Sequence, residues 1–186
     1  MGETGVKLYF VTVNDFKAEE VTHYLRASGV DLSIIRHGIQ EILNIDLEVI
    51  VRDKALKAFK EVGLPCVVEH GGLYIDALSG LPGGLSKVVW DTVGDKLCTF
   101  IKPDDIRSAT ATSVVGYCDG KRLHTFTGET RGSVATSARG AYKFQWDPIF
   151  VPNGAKLTYA EMGFPEKARH SQAAKAWSML LAALRK

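Results

Sequence analysis

The run Thr12-Val13-Asn14-Asp15-Phe16-Lys17 places a hydroxyl, an amide and an ammonium group where an apolar stretch gives way to a helical pattern. The N–H groups at a helix N-terminus attract anions and a lysine in the first turn adds full positive charge, so such a junction can hold phosphate. An ordinary capped turn with a solvated lysine reads the same way, and the glycines and Gly-Lys-Ser/Thr ending of a P-loop are missing. Glu41 follows the second predicted strand and Glu69 ends the third. Magnesium prefers carboxylate oxygens shared with substrate phosphates, which makes the pair a candidate metal site. His70, beside Glu69, is a candidate base or ligand. Taken singly, each glutamate reads as a surface charge and the histidine as structural. Phe144-Gln145-Trp146-Asp147-Pro148-Ile149-Phe150 offers aromatic faces for stacking on a base and a carboxylate for ring N–H groups. A core strand turning at Asp-Pro is the plainer reading of that run. Lys17, Lys54, Lys87, Lys143, Lys167 and Arg169 are scattered, and only folding could gather them.

The elements that would position these groups follow from hydrophobic period. Val6–Val13 is an apolar, β-branched run expected to be a buried strand. Phe16, Val21, Tyr24 and Leu25 then recur at helical spacing, with Asp15 as cap and Gly29 as stop. Leu32–Arg36 is a second strand, a helix begins at Asp46 and ends at Gly63-Leu64-Pro65, and Cys66–Glu69 is a third strand before a glycine pair. Val49, Ile50, Ala55 and Phe59 mark one face of that second helix. This alternation predicts an α/β fold with crossover helices over a sheet. Leu78–Leu85 reads as loop, and Thr110–Cys118 and Arg122–Thr130 as a hairpin turning at Asp119-Gly120. Glu166–Arg185 reads as one helix burying Ala176, Trp177, Leu180, Leu181 and Leu184.

With 186 residues, 46% hydrophobic and 24% charged, the chain can fill one core, so a single domain over 1–186 is expected and disorder is excluded. The balance of 23 basic and 21 acidic residues, with no basic stripe, argues against a nucleic-acid or membrane binder. No run approaches the roughly 18–20 apolar residues of a membrane span. MGETGVKLYF lacks the pattern of a secretory signal, so a cytoplasmic protein is expected. Cys66, Cys98 and Cys118 have no paired spacing that would suggest a disulfide or zinc framework.

Together these segments resemble the inosine triphosphate pyrophosphatase family, which removes deaminated purine nucleoside triphosphates such as ITP, dITP and XTP. The resemblance runs from about Lys7 to Leu184, with the family's motifs in order. T/S-x-N-x-x-K appears as Thr12, Asn14 and Lys17; a metal-binding glutamate as Glu41; and I-x-R-x-K-A as Ile50, Arg52, Lys54 and Ala55. Ala77-Leu78-Ser79-Gly80-Leu81-Pro82-Gly83 with Ser86-Lys87, the 144–150 run, and Thr158, Glu161 and Lys167 complete the set. The resemblance implies a central mixed sheet flanked by helices, two lobes with a nucleotide cleft between them, and a homodimer. It implies that Thr12, Asn14, Lys17, Lys54, Lys87 and Lys167 line the triphosphate, with Ser171 nearby. It also implies that Phe144 stacks on the purine while Trp146 and Asp147 read its edge, and that magnesium at Glu41 and Glu69 supports water attack between the α and β phosphates.

The departures fall on the chemistry. The family's E-D-T/S-G-L becomes Glu69-His70-Gly71-Gly72-Leu73, so His70 replaces the aspartate that serves as metal ligand and proton acceptor. A neutral imidazole lacks the hard anionic oxygen that magnesium favours. The C-terminal S-H-R becomes Ser171-Gln172-Ala173. The resulting expectation is a dITP- or ITP-binding pseudoenzyme, a sensing subunit that signals to a protein effector. The resemblance extends to antiphage systems of the Kongming kind, where that effector is a sirtuin-like NADase. The alternative is an active pyrophosphatase in which Glu69 or His70 has taken over the aspartate's role.

Overall fold

The computed structural model describes residues 6–102, 104–141 and 144–185. Strand β1 (Lys7–Val11) leads into helix α1 (Asp15–Leu25), β2 (Asp31–Ile35), helix α2 (Leu47–Val62) and the long strand β3 (Cys66–Ile75). A two-residue strand β4 (Pro82–Gly83) and helix α3 (Ser86–Val93) follow. The hairpin β5 (Ser108–Cys118) and β6 (Leu123–Val134), short β7 (Phe150–Pro152), and helices α4 (Tyr159–His170) and α5 (Gln172–Leu184) complete the chain.

The sheet runs β2-β1-β3-β5-β6-β7, with β4 on the side of β3. β1 pairs in parallel with β2 and β3, whereas β3, β5, β6 and β7 pair antiparallel. This is the expected α/β architecture with a mixed sheet. Strand β3 belongs to both regimes, and its alternation feeds both faces. Val67 joins Leu8, Phe10, Val21 and Trp177 under α1 and α5, while Val68 joins Val11, Val51 and Ala55 under α2. Farther along, Leu73 and Ile75 pack with Trp146, Ile149, Phe150 and Tyr159 in a separate core of the second lobe. No helix among the described residues is long and apolar enough to cross a membrane.

Four local expectations are corrected. Asn14, not Asp15, caps α1, because its side chain accepts the Lys17 N–H. Gly71 and Gly72 do not end the third strand; β3 runs through them, paired with Ser113 and Thr112 of β5. A Cβ at Gly72 would lie 2.3 Å from the Gly83 carbonyl oxygen, so that glycine lets β4 approach. The 144–150 run is not a strand but a turn and a short 3-10 segment, Asp147–Ile149, ahead of β7. The C-terminal helix is two helices broken at Ser171, whose extended backbone and hydroxyl cap α5.

Candidate functional site

The carboxyl ends of β1 and β2, the turn into α1 and the middle of β3 enclose a cavity of about 240 Å³. Ligands favour this position in parallel α/β sheets. Thr12, Asn14, Lys17, Glu41, Lys54, His70 and Lys87 all line it, so seven of the residues singled out by sequence meet here. Thr12 Oγ1 accepts from the Asn14 N–H at 3.1 Å and Asn14 Oδ1 accepts from the Lys17 N–H at 3.1 Å, which fixes the turn. The ammonium groups of Lys17 and Lys54 both reach the Glu69 carbonyl oxygen, at 3.4 and 3.1 Å. Lys87 stands at the rim, paired with Asp91 one helical turn on.

The acidic candidates are already engaged. Glu69 is buried beneath the cavity rather than lining it. Ser113 Oγ and Trp177 Nε1 donate to its two carboxylate oxygens, each at 2.9 Å, and Lys17 Nζ lies 3.4 Å from one of them. Burial would raise its pKa, but the Lys17 charge and the Trp177 and Ser113 hydrogen bonds together hold it below the usual range. Glu41 gives Oε1 to Lys54 Nζ at 2.6 Å and Oε2 to His70 Nδ1 at 3.3 Å. There too burial acts upward and is outweighed by His70 and Lys54, so the carboxyl lies well below the ordinary range.

His70 Nε2 donates to the Gly84 carbonyl at 3.0 Å. Both ring nitrogens therefore face partners within the chain, Nε2 the Gly84 carbonyl and Nδ1 the Glu41 carboxylate. No group of three or more His, Cys, Asp or Glu side chains able to hold a metal occurs among the described residues. Of the donor set expected for magnesium, Glu69 is buried in the core and Glu41 lines the cavity, paired with Lys54 and facing His70.

The expected base-reading residues lie apart from the cavity. Phe144 packs against Phe16 at 5.4 Å between ring centres. Trp146 is buried between Phe150 and Tyr159, and its Nε1 has no hydrogen-bond partner among the described residues. Lys167, expected at the triphosphate, is instead buried, with its ammonium 2.6 Å from Glu20 and 2.5 Å from Asp147. It also stands over the Phe144 ring at 5.2 Å. Ser171 hydrogen-bonds Tyr24 and caps α5, away from the cavity. Lys143 lies outside the described residues, and Arg169 is exposed and paired with Glu166.

Sequence reading missed Glu20 and His37, placed Trp177 in the core without its bond to Glu69, and gave Gln145 no role of its own. Glu20 lies four residues after Phe16 and four before Tyr24, so its helical position placed a carboxylate on the buried stripe of α1. His37 and Gln145 line the cavity wall, and Gln145 holds φ +46, a left-handed backbone rare for a residue other than glycine.

The Glu20–Lys167–Asp147 group buries two carboxylates on one ammonium. Both ionised would leave net negative charge in the core, so burial pushes Asp147 up to about 7, against the pull of Lys167 and with the repulsion of Glu20. Asp147 thus binds its proton more tightly in the folded chain than at the ordinary value of 3.8. The folded state holds the extra proton between about pH 4 and 7, so this group makes stability fall as pH rises through that window. Asp147→Asn should flatten that slope in thermal melts taken across the window. A slope unchanged by the substitution would mean that Asp147 stays ionised throughout.

The sequence profile of the Ham1 family matches residues 8–183. A dITP/XTP pyrophosphatase of Methanopyrus kandleri is 38% identical over 173 residues, 92% of each chain. One from Thermococcus kodakarensis is 36% identical over 172 residues, 92% of this chain and 93% of the other. Among solved structures, a HAM1 protein from Coxiella burnetii superposes with TM-score 0.82 at 25% identity, covering 97% of this chain and 98% of that one. A nucleoside-triphosphatase / dITP/XTP pyrophosphatase from Mycobacterium abscessus gives 0.73 at 28% identity, covering 97% and 100%.

Proposed function

The chain belongs to the Ham1 family, and from that premise we propose that it binds deaminated purine nucleoside triphosphates, dITP or ITP, and turns them over poorly. The observation that carries the reading is a cavity lined by three lysines beside a histidine whose ring nitrogens face groups of the chain. Thr12, Asn14, Lys17, Lys54 and Lys87 surround one cavity at a helix N-terminus, suited to a triphosphate. His70 lines that cavity with Nε2 donating to the Gly84 carbonyl and Nδ1 facing the Glu41 carboxylate, so each ring nitrogen is turned to a group of the chain rather than to a water on the phosphates. On this reading the base end of the ligand lies toward the 144–147 turn, of which Gln145 lines the cavity wall.

A binder that keeps its ligand intact is suited to report the ligand's concentration. The finer proposal is therefore a homodimeric sensing subunit whose partner is a protein effector, by resemblance a sirtuin-like NADase in antiphage defence. The second reading, an active pyrophosphatase, is favoured by the relatives, which are named for that activity.

One experiment separates the two. Purified protein is mixed with dITP in magnesium buffer, and bound nucleotide and released pyrophosphate are followed together. The proposal expects dITP to bind at least about tenfold tighter than dATP and to stay intact. Steady pyrophosphate release would establish the second reading, and equal binding of dITP and dATP would remove the specificity claimed here.

A further inference from the structure

We propose that the cleft holds its triphosphate without a divalent cation, through Lys17, Lys54, Lys87 and the helix N-terminus, because His70 has converted the metal corner into part of the protein's own ion-pair network. The inference rests on the reading of the cleft as a nucleotide site and adds how that site neutralises its ligand.

A site for a hard cation needs carboxylate oxygens with lone pairs directed at one point. Here Glu41 Oε1 is taken by Lys54 at 2.6 Å, and Oε2 faces His70 Nδ1 at 3.3 Å. The other His70 nitrogen is taken by the Gly84 carbonyl. Glu69 does not line the cavity, and its two oxygens are taken by Ser113, Trp177 and Lys17. The only anionic group lining the cavity is thus already neutralised by groups of the chain, among the described residues. A cation placed there would have to displace Lys54 or His70 and would meet the ammonium groups of Lys17 and Lys54.

The charged groups lining the cavity are three lysines, Lys17, Lys54 and Lys87, against the single carboxylate of Glu41, a balance that favours an anion. Lys17 and Lys54 are held by their shared hydrogen bonds to the Glu69 carbonyl, so they are ordered before ligand arrives. The turn Thr12-Val13-Asn14 and Lys17, at the N-terminus of the eleven-residue helix α1, line the same space. Lys87 at the rim lies on an exposed turn where Asp91 can yield to a phosphate. An aspartate at position 70 would set a second carboxylate beside Glu41. That would raise local negative charge and make a cation necessary; histidine removes the need.

The test is dITP binding by isothermal titration calorimetry in EDTA and again in excess magnesium. Alongside it, Mn2+ uptake by the nucleotide-free protein is followed by electron paramagnetic resonance. Expected are affinities within about threefold of each other in the two buffers and no manganese uptake. Affinity weakened about tenfold or more by EDTA, or stoichiometric manganese uptake, would overturn the inference while leaving the nucleotide reading intact. Absence of binding in both buffers would overturn both. His70→Asp should gain manganese uptake and a metal requirement for dITP; if it folds and responds to EDTA as the parent does, His70 is not the determinant. The measurements on the unaltered chain decide the matter even if that variant fails to fold.

Discussion

Replacing His70 with aspartate is expected to raise pyrophosphate release from dITP, in magnesium buffer, by on the order of 10²–10³-fold, the range that a positioned general base contributes. The imidazole is bound through Nε2 to the Gly84 carbonyl and faces Glu41 through Nδ1, so it has no basic site turned toward the phosphates. A carboxylate in its place supplies a proton acceptor at the cavity wall. The same change removes the donor to Gly84 and sets like charges together, so the variant should melt at a lower temperature. Rates are therefore compared well below both transitions. A gain under about threefold would mean that position 70 does not limit turnover, and that the missing chemistry lies elsewhere or was never lost.

The largest structural effect is expected at Trp177. Its ring is fully buried, edge-on to Phe10 at 5.1 Å, and its Nε1 donates to Glu69 at 2.9 Å. Trp177→Ala should destabilise the fold by about 3–5 kcal/mol through lost packing. The Glu69 oxygen left without its donor adds about 1–3 kcal/mol. Together these approach the whole stability of many domains. Trp177→Phe keeps most of the volume and isolates the second contribution. Urea denaturation of both variants reads the two, and a loss below about 0.5 kcal/mol for Trp177→Phe would show that water substitutes for the indole N–H.

Much of this was legible in sequence because local chemistry and tertiary structure agree. β1, α2 with its Asp46 cap and Gly63 stop, and the hairpin at Asp119-Gly120 fall where period and turn residues place them. The phosphate-side residues could be named because they sit at element ends, where spacing is fixed by the strand and the helix turn. The failures are those that only three-dimensional context decides. The glycine pair at Gly71-Gly72 looks like a break, yet two partner strands impose extension on it. Lys167 looks like a phosphate ligand until Glu20, from the other end of the chain, is seen to claim it. Glu69 was taken for a metal ligand because strand alternation alone does not say which face opens on the cavity and which on the core. His70, its neighbour on the opposite face, is the residue that lines the cavity.

Lys17 is the charged partner of a carboxylate sealed in the core. Removing it would strand Glu69 as an uncompensated buried charge, an outcome that costs about 3–5 kcal/mol. Natural selection acting on folding alone would then keep this lysine in every descendant of the chain, whatever became of the ligand. Lys87, exposed and paired only across one helical turn, is under no such obligation. In a lineage drifting away from nucleotides it is Lys87 that would be lost first, and its persistence, rather than that of Lys17, is the trace that continued use of the cleft would leave.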